Sequence, residues 1–254
     1  MEKKKFKLLE AQYLVPFILI TSCFAFWGFA NDITNPMVKA FSKIFLMSPV
    51  QGSLVQVAFY GGYFAMAFPA AIFIRKYTYK SGILVGLGLY AAGALLFIPA
   101  SSIGSYAPFL IAYFIMTCGL SFLETSANPY ILSMGDEESS TQRLNLAQSF
   151  NPIGSIMGMY VAGTFILAKL NPADTTARTS MGAEEFDAVK MADLAIVRSP
   201  YVAIGIVIIV MFVIIALVKM PKNADQNHSI NFLPTLRRIF SIPRYREGVV
   251  AQFF

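Results

Sequence analysis

Apolar residues gather in six long runs separated by short polar or charged turns. The first run opens at residue 14 and passes residue 30 towards 41; the others cover 52–74, 82–100, 106–134, 145–168 and 201–219. A helix needs about 17–25 mainly apolar residues to cross a bilayer, so each run predicts one membrane-spanning helix. The charged start MEKKKFK would also suit a secretory leader, but the first run extends past Ala30 and further runs follow, which favours an uncleaved first helix. On this reading residues 1–13 are an N-terminal segment, 14–219 a six-helix bundle, 220–247 a polar linker and 248–254 the start of a seventh span cut short. The longest polar loop between spans, 170–197, predicts a surface helix near 184–195.

Polar residues inside these runs are the informative ones. The fourth run contains GLSFLETSANPY at 119–130, with Glu124 well inside a lipid-length segment. An acid near the centre of a spanning helix costs about 2.5–3.5 kcal/mol on insertion scales. Ser121, Glu124, Thr125 and Asn128 recur at helical spacing on one face, which should therefore look onto protein or water. In the first run WGFANDITNP brings in Trp27, Asn31, Asp32 and Asn35, and position alone would also allow Asp32 to be a helix-end carboxylate at the headgroups. Gln148 and Asn151 share a face of the fifth run beside the GxxxG step of Gly154 and Gly158. Amides of this kind serve interhelical hydrogen bonds and ligand binding equally. The second run holds Gly61, Gly62 and Pro69, the third is rich in glycine, and the sixth is almost wholly aliphatic. The first, fourth and fifth spans should thus form a polar face, with the third and sixth mainly peripheral.

Composition agrees: of 254 residues 56% are hydrophobic and 13% charged, against about 45–50% and 25% in soluble domains. The net charge of +6 could suggest nucleic acid. The basic residues instead sit in clusters between spans, which excludes nucleic acid as a partner and fits positive-inside bias. With the N-terminus cytoplasmic, 14 of the 20 lysines and arginines fall on the cytoplasmic side. Cys23 and Cys118 lie within apolar runs and read as small buried hydrophobes. His228, the one histidine, falls in the linker as a solvated residue, and no span holds a metal-ligand cluster. An enzyme, a metal and an organic cofactor are accordingly not expected.

Six helices, intramembrane polar groups and a linker to a further span fit one half of a twelve-helix secondary transporter. The segments LVQVAFYGGYFAMAFPA, YKSGILVGLGLYAAGALLFIPA, CGLSFLETSANPY and RLNLAQSFNPIG resemble the fucose permease branch of the major facilitator superfamily, from about Phe17 onwards. The resemblance implies proton-coupled symport of a monosaccharide such as L-fucose, or of glucose or galactose as in other relatives, across the cytoplasmic membrane. It implies a fold that is the N-terminal half of twelve helices, with a C-terminal half as partner and the proton as coupling ion. By motif position it places Asp32 and Glu124 at the central cavity in proton coupling and sugar binding, with Gln148 and Asn151 beside them. One departure concerns the loop between the second and third spans, where Arg75 replaces the family's acid and Thr78 its glycine.

Sugar chemistry leads to the same residues. Hydroxyls both donate and accept, so a sugar site needs amides and carboxylates around an apolar or aromatic platform. Asn31, Asn128, Gln148 and Asn151 supply amides; Trp27 supplies a face, or else packs or anchors at the interface. Asp32 is expected to carry the proton and Glu124 chiefly to bind sugar. The competing reading is a non-transporting membrane scaffold in which these polar groups only hold helices together.

Overall fold

The computed structural model describes residues 8–221 and 232–253, so His228 and the linker residues 222–231 around it lie outside the described residues. The six predicted spans are helical units α1 (Ala11–Ile44), α2 (Pro49–Lys76), α3 (Tyr79–Ile103), α4 (Ala107–Leu132), α5 (Glu137–Leu167) and α6 (Ala183–Leu217). Two shorter helices, α7 (Phe232–Ser241) and α8 (Pro243–Phe253), follow.

Local chemistry sets the helix ends. Ser48 and Gln51 form a reciprocal capping box with Pro49 in the first turn of α2, satisfying donors that a helix start leaves free. Thr78, the residue that departs from the family loop pattern, N-caps α3 by accepting from the Ser81 amide at 3.0 Å. Gly104 ends α3 in the left-handed conformation, φ 68°. Lys80 donates to the Ala216 and Val218 carbonyls at 2.8 Å, placing a cation at the negative end of α6.

The structure corrects the expected boundary of the sixth span. No separate surface helix covers 184–195; that stretch runs without a break into the membrane helix, giving 35 residues in all. The sequence AEEFDAVKMADLAIVR contains no helix breaker, and Pro200 removes only one amide donor from the ladder.

Close backbone contact organises the bundle. A β-carbon on Gly86 would strike the Gly119 carbonyl, and one on Gly119 the Gly86 carbonyl and the Tyr90 amide. Gly93 lies equally tight on the Met116 backbone, so α3 and α4 touch main chain to main chain. Gly154 and Gly158 do the same against Ala25 and Phe29, joining α5 to α1 as the GxxxG step predicts. The expectation that α3 is peripheral therefore fails: its Ile83, Leu87, Tyr90 and Phe97 are fully buried between α4 and α6. The aliphatic face of α6 does remain exposed, with Ile206, Val207 and Val210 outward.

Polar staples close both ends. Arg143, which the charged turn GDEESSTQR would place in solvent, is fully buried. It donates to the Ile131 and Leu132 carbonyls at the end of α4 and to the Leu8 carbonyl, so its charge meets a helix C-terminus. At the other end Arg178 pairs with Asp193 in full burial, and Asp193 also accepts from the Asn171 amide at 2.8 Å. Lys43 donates to the Asn171 carbonyl at 2.6 Å, tying α1 to the same loop.

Removing one partner of a buried ion pair costs about 3–5 kcal/mol, because the other charge is left uncompensated. Asp193→Ala should therefore lower the temperature at which the buried thiols Cys23 and Cys118 become reactive in detergent, while Glu184→Ala on the exposed face leaves it unchanged. Gly119→Leu should prevent a monodisperse fold, since overpacking a tight contact costs about 1–3 kcal/mol or more. Gly88→Ala should be silent, because its β-carbon would meet only Phe212 at an ordinary 3.8 Å. Size-exclusion profiles distinguish the two.

Candidate functional site

The bundle divides into two groups. One is α1 with α5, the other α4 with α2, α3 and α6, and contact between α1 and α4 is sparser than within either group. The seam between the groups collects the polar residues.

On α4 the side chains of the polar stripe differ in what satisfies them. Thr125 donates to the Ser121 carbonyl at 2.7 Å and Asn128 to the Glu124 carbonyl at 3.1 Å, both back-bonding one turn within the helix. The Asn128 side-chain oxygen accepts from Gln148 Nε2 at 3.1 Å, so two expected site residues meet across α4 and α5. Glu124 is different. Among the described residues no cation pairs with its carboxylate, which stands in the walls of two hollows.

The larger hollow, about 410 Å³, is lined by Tyr63 and Ala67 of α2 and by Ser121, Glu124, Thr125, Asn128 and Pro129 of α4. That volume lies within the range of about 300–1,000 Å³ typical of small-molecule pockets. The smaller is a crevice between α1 and α4 lined by Cys23, Phe24, Trp27, Leu123, Glu124 and Ala127. Trp27 is held there by Phe24, ring centroids 6.0 Å apart. The structure thus brings Glu124, Asn128, Gln148 and Trp27 to one seam.

The remaining expected residues stand apart. Asn151 donates to the Phe24 carbonyl at 3.3 Å and its own backbone abuts Gly28, so its amide holds α5 on α1. Asn31 and Asp32 are half-buried and outside the walls of both hollows. Asp32 follows Trp27 by about 7.5 Å of helix axis and accepts from Asn35 Nδ2 at 3.1 Å. Cys23 and Cys118 are buried and unpaired with each other. Sequence reasoning missed α2 as a wall of the site, having noted only its glycines and proline and placed the polar face on the first, fourth and fifth spans. The signal was Tyr63 itself, a polar hydroxyl well inside a lipid-length span that needs a partner or a ligand.

The sequence model of the Major Facilitator Superfamily matches residues 18–252. The L-fucose-proton symporter of Haemophilus influenzae is 49% identical over 254 residues, covering 98% of this chain and 59% of that protein. The L-fucose-proton symporter of Escherichia coli is 38% identical, covering 95% of this chain and 56% of that protein. A crystal structure of FucP in the outward conformation superposes with TM-score 0.82 at 36% identity, over 95% of this chain and 59% of that one. The chain therefore spans less than two thirds of the length of these relatives. Its six membrane-spanning helices match the N-terminal half of their twelve-helix fold, and this chain belongs to the major facilitator superfamily.

Proposed function

We propose that this chain is the half of a monosaccharide–proton symporter that handles both the sugar and the proton. The observation that carries this reading is Glu124, an acid without a cation in the wall of a cavity of about 410 Å³, beside the Asn128–Gln148 amide pair. A carboxylate kept at a cost inside a membrane helix marks a substrate or ion pathway, and carboxylate with amides and a nearby indole suits hydroxyl recognition. The names of the relatives supply the substrate: L-fucose with a proton is the reading favoured by the highest identities, and glucose or galactose is carried by the more distant Brucella abortus transporter, 33% identical over 212 residues.

In this proposal Glu124 binds sugar with Asn128, Gln148 and Trp27, Asn151 fixes the helix from which Gln148 reaches the site, and Asp32 takes up and releases the coupling proton. The remaining length of the relatives supplies a second six-helix half, against which this bundle moves so that the site opens alternately to either side. Residues 220–247 form the connection and 248–254 begin the next span. The excess of basic residues at one end sets that end, with the N-terminus, in the cytoplasm, so the protein lies in the cytoplasmic membrane.

The test is uptake by proteoliposomes containing the full-length protein. Asp32→Asn should abolish accumulation driven by an imposed proton gradient while sugar exchange persists; normal uphill accumulation would remove Asp32 from the proton path. Glu124→Gln should raise the dissociation constant for sugar roughly 10–100-fold, because a hydrogen bond to a charged group contributes about 1.5–3 kcal/mol. Unchanged affinity measured by isothermal titration would contradict its role as a ligand.

A further inference from the structure

Two buried polar atoms near Glu124 make no hydrogen bond of full geometry. Tyr63 Oη and Trp27 Nε1 are each buried and have no hydrogen-bond partner among the described residues. Buried polar atoms in native proteins are nearly always satisfied, and exceptions call for a water, a ligand or a functional role. These two come from different helices and share Glu124 as a neighbour: Tyr63 lines the larger hollow, Trp27 the crevice, and Glu124 both. The Tyr63 and Trp27 polar tips lie close enough to interact with each other, with Glu124 beside Tyr63, but neither tip makes a bond of full geometry. Their rings, by contrast, are held. Tyr63 leans on Phe59 with centroids 5.8 Å apart, and Trp27 on Phe24.

Fixed rings whose polar tips are only weakly engaged are donors preorganised for a guest. An indole N–H only donates, an ionised carboxylate only accepts, and a phenol does both. One sugar hydroxyl that donates to Glu124 can accept from the Trp27 N–H, and a neighbouring hydroxyl can then bond the Tyr63 hydroxyl. We infer that Tyr63 is a further sugar-binding residue, and that Tyr63, Trp27 and Glu124 together recognise a pair of adjacent hydroxyls. This rests on the monosaccharide reading above and assigns to α2 a direct contact with substrate.

The experiment is equilibrium binding of the parent sugar and its monodeoxy analogues to the full-length transporter, wild type and Tyr63→Phe. Removing one phenol oxygen should weaken the parent sugar about tenfold. For one monodeoxy analogue, the one lacking the contacted hydroxyl, wild type and variant should bind alike. Equal affinities of wild type and variant for the parent sugar overturn the inference while leaving the sugar reading intact. So does an equal loss across every analogue together with a lowered melting temperature, since that is the mark of a packing role. A wild type that binds no monosaccharide overturns the sugar reading, and this inference with it.

Discussion

Main-chain contact at glycine is what the rest of this bundle depends on. Lipid offers no hydrophobic drive for helices to associate, because its tails are as apolar as the side chains. Association then relies on close packing, and packing is closest where side chains are absent. Gly86, Gly93 and Gly119 let α3 and α4 meet, and Gly154 and Gly158 let α5 meet α1. These contacts build two tightly joined groups and leave a looser seam between them. Dispersion gained within each group is what makes it possible to hold polar residues along the seam.

At that seam the residues differ in how they escape the cost of burial. Hydroxyls and amides find carbonyls on their own helix, as Thr125 and Asn128 do, or on a neighbouring one, as Asn151 does on α1. A carboxylate cannot use carbonyls, because when ionised it has no proton to donate. Glu124 is therefore the one member of the α4 stripe that the bundle does not satisfy from within, and its position in two hollows follows from the same lack. The aromatic cluster of Phe41, Phe97, Phe109, Tyr113 and Tyr201 fixes α1, α3, α4 and α6 at one end of the bundle, with the Tyr113 and Tyr201 hydroxyls 2.6 Å apart. Arg143 fixes the other end.

How much of this could be read in the sequence depends on range. The spans, the face shared by Ser121, Glu124, Thr125 and Asn128, and the role of the Gly154–Gly158 step follow from period and residue size, which are local properties. What escaped are meetings between distant residues. Arg143 reads as a surface charge in a turn, and only the fold shows that the end of α4 comes back over it. Arg178 and Asp193 each look like loop charges until the loop folds onto α6. Asn151 could equally have been ligand or staple, and the geometry turns its amide towards α1. Tyr63 was passed over because attention in its helix fell on Gly61, Gly62 and Pro69, and a tyrosine hydroxyl stands out less in a sequence than a carboxylate or an amide.

The separation of Asp32 from Glu124 constrains any coupling between them. Asp32 stands about five residues beyond Trp27 on α1, too far along the helix for one sugar hydroxyl to bridge both acids while Glu124 lies level with Trp27. Its local partner is Asn35, one turn on, and not a group of α4. On the proposed roles, linkage between a proton on Asp32 and a guest at Glu124 passes through a shared conformational equilibrium, in which each ligand favours the same arrangement of the helices. Such linkage is reciprocal: whatever factor the proton adds to sugar affinity, sugar returns to proton affinity. The bundle itself is stapled at both ends and welded at glycine contacts. On the proposed reading, the equilibrium that couples the two sites is then a movement of the whole bundle against a facing partner rather than a rearrangement within it.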